Sequence, residues 1–405
     1  MSGDLPAWKR QGYNVARLRT LARRRLPRPI FDFSDGGAED ERTLRRNESA
    51  FEEIQLLPRP LEGAAIRDLS LELFGHRLSL PVIIGPTGLS GLFWPDGERA
   101  AARAAAAAGT GFCLSHGSVC TIEELADTGV SPRWMQVFVY SDRGFTQEFV
   151  ERAQAAGYHG LVVTIDNQIM GHRERDTRNG FTIPPRFRAA DLAAMSLKLP
   201  WLMSMGPRLG QITFGNYKRA GEPSDIKALA ARMADMLDPS LSWRDLDWLR
   251  GLWKGPLIVK GVLHPAEAAE AVARGADGLI VSNHGGRQLD GAASSIEALP
   301  GVVAAVEGRA PVLIDGGLRR GGDVVRALAL GATACLIARP QLWALAVAGE
   351  AGVAHMLDIF RREIDRAMGL CGVTELSGIG PDLILGGTDA QALDEAGWAK
   401  RAAAR

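Results

Sequence analysis

Short apolar runs alternate with longer helical stretches from Leu80 to about Met368, and this rhythm limits the fold more than any other feature of the sequence. The runs at Pro81–Gly85, Phe112–Leu114, Trp134–Val139 and Leu161–Ile165 have the length and β-branched content of buried strands. Pro256–Lys260, Gly278–Val281, Pro311–Ile314 and Ala334–Ile337 repeat the pattern. Helical stretches follow at Glu98–Ala108, Thr121–Ala126, Thr146–Ala156, Pro265–Arg274, Ser294–Val306, Gly322–Leu330 and about Gly352–Met368, several of them ended by glycine. Eight such units predict a parallel (β/α)8 barrel in the α/β class. A doubly wound open sheet is the alternative, and unbroken alternation favours the barrel.

Three segments depart from the rhythm. Residues 1–75 read as an N-terminal helical segment that packs across the barrel, with a helix over Asn14–Arg25, a turn at Asp35-Gly36-Gly37, and a further helix opened by the acids of Ala38–Glu41. Residues 76–375 form the expected barrel, and 376–405 a C-terminal tail. Residues 177–224 interrupt the barrel after strand four with a stretch rich in Pro, Met, Trp and Arg. One reading is a long mobile active-site loop. The other is a monotopic membrane or partner contact through 183–210, because apolar and basic residues are mixed there.

Composition excludes several classes. Lys plus Arg (47) equals Asp plus Glu (47), with no long basic run, which argues against nucleic acid as a partner. Cys113, Cys120, Cys335 and Cys371 are scattered with no CxxC pair, so neither a disulfide framework nor a zinc site is indicated, and no metal is expected. The first residues lack an apolar signal core, and no apolar run approaches the ~20 residues of a membrane span. A cytoplasmic location is the expectation, at the inner face of the membrane if 183–210 makes the contact.

The chemistry gathers where strands end. Leu279–Val281 runs into Ser282-Asn283-His284-Gly285-Gly286-Arg287-Gln288-Leu289-Asp290, which offers an imidazole as general base and a guanidinium as carboxylate clamp. The other strand ends supply Thr87, Gly88, Ser115, Gln136, Thr164 and Asp166. Lys260, Asp315, Gly317, Arg319, Ala338 and Arg339 complete the set. Together they suit a phosphorylated, planar, redox-active cofactor beside a small acid: glycines and arginines after strands seven and eight for the phosphate, and a lysine cation for charge developing on the ring.

The SNHGGRQLD string, Pro86-Thr87-Gly88, Gly171-His172-Arg173-Glu174 after Asp166, Val259-Lys260-Gly261 and Asp315-Gly316-Gly317 resemble the FMN-dependent α-hydroxy acid oxidase and dehydrogenase family. The likeness runs from about Ala38 to Gly372. With Trp94-Pro95 and the insertion, it is nearest the mandelate dehydrogenase branch, whose matching insertion binds membrane. The resemblance implies FMN as cofactor and oxidation of an L-2-hydroxy acid to the 2-oxo acid. Electrons then pass to oxygen, a quinone or a protein, in a homotetramer. It further implies His284 as base, Asp166 as its support, and Arg287 and Arg173 on the substrate carboxylate. Lys260 would face one edge of the flavin, with Thr87, Gly88, Ser115, Gln136 and Thr164 along the ring. Asp315, Gly317, Arg319, Ala338 and Arg339 would hold the phosphate end.

Two residues break the family pattern. Phe33 and Phe138 stand where the family carries tyrosines that touch the substrate, a loss of two polar contacts worth about 1 kcal/mol or more each. A bulky or aromatic substrate of mandelate type is therefore expected. The alternatives are a peptide or biosynthetic intermediate as substrate, or an FMN barrel without redox turnover. His116 has no family role; it reads as a solvated loop histidine, or as a replacement for a lost polar contact in the substrate pocket.

Overall fold

Eight parallel strands close into a barrel: β1 (Val82–Ile84), β2 (Phe112–Leu114), β3 (Arg133–Val137), β4 (Gly160–Thr164), β5 (Leu257–Val262), β6 (Gly278–Val281), β7 (Val312–Ile314) and β8 (Ala334–Ile337). The computed structural model describes residues 5–181, 193, 195–217 and 237–385. Each barrel strand is followed by a helix: α1 (Gly97–Ala107), α2 (Ile122–Ala126), α3 (Arg143–Ala155), α4 (Trp243–Leu252), α5 (Pro265–Ala273), α6 (Ser295–Val306), α7 (Gly321–Ala329) and α8 (Arg339–Cys371). The barrel expected from the sequence is thus the observed fold, and the open sheet is excluded by the β8–β1 pairing of Cys335 with Val82.

Side-chain alternation divides the barrel interior into layers. Ile83, Cys113, Trp134, Val162, Ile258, Ile280, Leu313 and Leu336, one per strand, form a buried inner cluster. The hairpin of Leu71–Leu73 and His76–Leu78 closes the barrel's N-terminal end, adding Leu73 and Leu78 to that cluster and setting Phe74 against Trp134. Because successive side chains along a strand alternate faces, the next inward positions lie two residues on. They are Gly85, Ser115, Gln136, Thr164, Lys260, Ser282, Asp315 and Ala338. An apolar layer thus carries a polar layer directly above it, at the C-terminal mouth.

Several elements differ from the sequence reading. The acids of Ala38–Glu41 do not open a helix: Glu39 and Glu41 sit at φ 45° and 59°, and the helix begins at Arg42. Glu41 accepts the Gly37 amide and meets Arg175, and these contacts hold the segment in a non-helical turn. Unit four does have a helix, α4, signalled by the Ser242–Asp245 capping box. The last helix starts at Arg339 rather than near Gly352, with a break at Ala348–Gly349. By length and apolarity α8 could cross a membrane, yet 67% of its most apolar window is buried, packed against α1 and the helix Val15–Arg25. At the chain's other end, Ile384–Leu385 pairs antiparallel with Gln55–Leu56.

Much of the insertion, including Ile183–Phe187, lies outside the described residues. Its described part is anchored. Trp201 is buried and donates from its indole N–H to Leu92 O at 2.9 Å, while Lys198 donates to Arg24 O at 2.9 Å.

Candidate active site

The mouth of the barrel holds a cavity of about 1100 Å³. Of the residues expected at the site, Thr87, Gly88, Ser115, Gln136, Thr164 and Lys260 line it. So do His284, Arg287, Arg173, Asp315, Gly317 and Arg319. Ala338, Arg339, Phe33, Phe138 and His116 line it as well. Asp166 stands behind, its carboxylate 2.9 Å from His284 Nδ1.

Burial acts to lower the His284 proton affinity, and Lys260 and Arg173 lower it further, outweighing the opposing pull of Asp166; the net shift is downward. The imidazole is therefore neutral at neutral pH. Burial alone would raise Asp166, but its interaction and hydrogen bond with His284 and the charge of Lys260 hold it below its ordinary value, and it stays ionised. His284 sits at φ 57°, and its amide donates to Ser282 Oγ at 3.1 Å. The same hydroxyl accepts from Lys260 Nζ at 2.8 Å, and Asp315 Oδ2 lies 3.1 Å from that ammonium. Desolvation opposes the Lys260 charge, yet Asp315 and Asp166 raise its pKa overall. A fixed cation, a neutral imidazole and an ionised carboxylate thus share one mouth.

Three guanidiniums that line the cavity have no carboxylate within ion-pair distance among the described residues. Arg287 donates to Phe33 O at 2.7 Å and Gly36 O at 3.2 Å, and lies over the Phe33 ring. Arg339 donates to Ser34 O at 2.9 Å and Gly36 O at 2.8 Å. Arg173 reaches Gln288 Oε1 at 3.4 Å, and its Nε is buried without a partner. Burial, with repulsion from Arg173 on Arg287 and from Arg287 on Arg339, pulls both down to about 9, which still leaves them charged at neutral pH. Buried cations without counter-ions are costly unless an anion completes them. Arg319 differs, since Glu48 takes its guanidinium at 2.7 Å.

Some orphaned polar atoms face the same space. Gln136 Nε2 and Thr164 Oγ1 are buried with no partner, at adjacent strand ends. Gly317, at φ 83°, leaves no room for a side chain, because a Cβ would lie 1.8 Å from Asn47 O. The α8 N-terminus at Ala338–Arg339 also lines the cavity, and helix N-termini favour anions.

A sequence profile of FMN-dependent dehydrogenases matches residues 22–385. The chain belongs to that family. The L-lactate dehydrogenase of Caulobacter vibrioides is 46% identical over 367 residues, covering 90% of this chain and 96% of its own length. An L-lactate oxidase of Nostoc sp. is 44% identical over 371 residues, covering 90% of this chain and 96% of its own. The solved structure of (S)-mandelate dehydrogenase, titled a monotopic membrane protein, aligns with a TM-score of 0.88 at 40% identity, covering 92% of this chain and 98% of that one. Mandelate oxidase aligns with a TM-score of 0.80 at 36% identity over 92% and 97%. The expected enzyme class, an FMN-dependent oxidoreductase, is met. FMN also fits the residues present, with unpartnered hydrogen-bonding atoms at Gln136 and Thr164, a fixed cation at Lys260, and uncompensated arginine charge toward α8.

His116 corrects one expectation: it is not a solvated loop residue but 7% exposed, and it lines the cavity. Sequence reasoning missed several supports. Asn47 and Asn283 exchange reciprocal hydrogen bonds of 2.9 and 2.8 Å. Gln288 Nε2 donates to Asp166 O at 2.9 Å and Ile169 O at 3.0 Å, which pins the loop carrying Asp166. Asp176, Ile212 and Phe214 also line the cavity. Gln288 had a signal, lying within the SNHGGRQLD string, whereas Asn47 had none.

Proposed function

We propose that this enzyme oxidises an L-2-hydroxy acid, with a bulky or aromatic side chain, to the 2-oxo acid. The observation that carries the reading is the pairing of neutral His284 with ionised Asp166 in a cavity where Arg173 and Arg287 await an anion. Lactate and mandelate, the acids in the relatives' names, are both 2-hydroxy acids.

In this reading Arg287 and Arg173 bind the substrate carboxylate as a charge-assisted pair. That anchors the acid so that its hydroxyl or α-hydrogen meets His284 Nε2, because Nδ1 is committed to Asp166. His284 takes the proton, and Asp166 stabilises the imidazolium that results. Bound FMN supplies the two-electron acceptor. Gln136, Thr164 and Ser115 would hold its ring, with Thr87 and Gly88 beside them. Lys260, held by Asp315 and Ser282, would balance negative charge there. Arg339, Gly317, Arg319 and the start of α8, with Ala338, would hold its phosphate. Phe33 and Phe138 give the substrate pocket an apolar wall, which favours a bulky side chain over that of lactate. Oxygen, a quinone or a protein then takes the electrons.

We further propose a peripheral membrane contact through 183–210. Leu199 and Met203 are 61% and 80% exposed on the described part of that segment, next to the basic end of the helix Val15–Arg25.

The test supplies the FMN-loaded enzyme with a panel of L- and D-2-hydroxy acids, under air or with a soluble quinone, and measures 2-oxo acid formed. Mandelate-like L-acids are expected to exceed lactate and glycolate in kcat/KM. No 2-oxo acid from any member of the panel would overturn the reading.

A further inference from the structure

His116 is poised to do chemistry that the proposed mechanism leaves unused. Gln136 Oε1 accepts from the His116 backbone N–H at 3.3 Å. A backbone N–H can only donate, so this amide atom is the oxygen. His116 Nδ1 lies 2.9 Å from the same oxygen and must therefore carry the ring proton. Burial lowers the histidine pKa to about 4, so the ring holds a single proton. Nε2 is left as a bare acceptor, with no hydrogen-bond partner among the described residues. The Tyr140 and Tyr217 hydroxyls bond each other, and neither makes a hydrogen bond to it.

The surroundings are aromatic. The Phe138 ring is 4.2 Å from the His116 ring and 6.5 Å from that of His284, so it neighbours both histidines. Tyr140 is 6.2 Å away, and Phe214 approaches through Gly117. A substrate side chain laid along Phe138 from His284 would meet His116, since all three line the one cavity. There one acceptor is set in a wall of rings.

We propose that His116 Nε2 accepts a hydrogen bond from the substrate's side chain, which makes it a specificity-determining residue. The enzyme would select 2-hydroxy acids whose aromatic side chain bears an O–H or N–H donor. This rests on the 2-hydroxy acid reading above and narrows it. A site built to bond a substrate hydroxyl discriminates strongly against the analogue lacking it, because the site's own polar atom is then stranded.

The experiment compares L-3-(4-hydroxyphenyl)lactate with L-3-phenyllactate on the FMN-loaded enzyme. The wild type is expected to favour the hydroxylated acid by about tenfold or more in kcat/KM. His116→Phe is expected to bring the ratio near one, chiefly by raising KM for the hydroxylated acid, and an unchanged circular dichroism spectrum with full FMN content shows that the variant is folded. His116→Gln, which keeps an acceptor, should retain part of the preference. Dissociation constants of the two corresponding 2-oxo acids, read from flavin absorbance, should carry the same ratio. An equal ratio in wild type and His116→Phe, or an equal loss on both acids, would overturn the proposal. Lactate turnover with neither aryl acid accepted would overturn it too. If no 2-hydroxy acid reacts, the functional reading fails first and takes the proposal with it.

Discussion

Asp166 acts on the substrate only through His284, and two readouts separate that role from mere support. The neutral imidazole is the reactive form, and its pKa lies below the ordinary 6.5, so kcat/KM is expected to hold at neutral pH and fall in acid as His284 protonates. Asp166 raises the His284 proton affinity, so Asp166→Asn should move that acid limb further down in pH while lowering kcat by roughly 10²–10⁴-fold. A drop in rate with the limb unmoved would mean Asp166 does something else. His116 gives a stability counterpart. Its folded pKa of about 4 lies below the unfolded 6.5, so the unfolded chain binds more protons between those values. Folding stability is then whole above pH 6.5 and declines by roughly 1.4 kcal/mol per pH unit as pH falls toward 4 from this group alone. Denaturant unfolding of His116→Phe should show a shallower decline over that window.

Among the elements, the loop after β7 depends on a backbone approach that only glycine allows. Gly317 and Gly308 both have positive φ, at 83° and 71°, but a Cβ at Gly308 meets nothing within 4 Å, whereas one at Gly317 strikes Asn47 O. Gly308→Ala should cost about 1–2 kcal/mol, the left-handed penalty alone. Gly317→Ala should cost clearly more and loosen the helix Arg42–Glu52. Equal losses in urea unfolding would contradict the packing argument. The same contrast explains what was legible in the sequence. Ser115, Gln136, Thr164, Lys260 and Asp315 each follow a short apolar run, so strand alternation alone brings them to one mouth. The backbone carbonyls that Arg287 takes from Phe33 and Gly36, the Asn47–Asn283 pair and the turn at Glu39–Glu41 depend on long-range docking of the N-terminal segment. No local pattern encodes that docking. The buried state of His116 was hidden for the same reason, since part of its cover, Phe214 and Tyr217, comes from the insertion.

For the whole molecule, the barrel fixes the chemistry at one end, and the insertion sets what surrounds that end. If 183–210 meets a membrane, the Leu199→Ser, Met203→Ser double variant should lose most of its co-sedimentation with anionic vesicles while keeping its turnover of soluble acids. Unchanged sedimentation would place the contact elsewhere. The central claim is that His284, in a cavity with two anion-seeking arginines, is the base in the oxidation of a 2-hydroxy acid by bound FMN. Its most direct test mixes the FMN-loaded enzyme with L-mandelate without oxygen and follows flavin absorbance through a single turnover. Rapid bleaching in the wild type, slowed about 10²–10⁴-fold in His284→Ala, is the expected result. Equal bleaching rates in the two proteins would contradict the account.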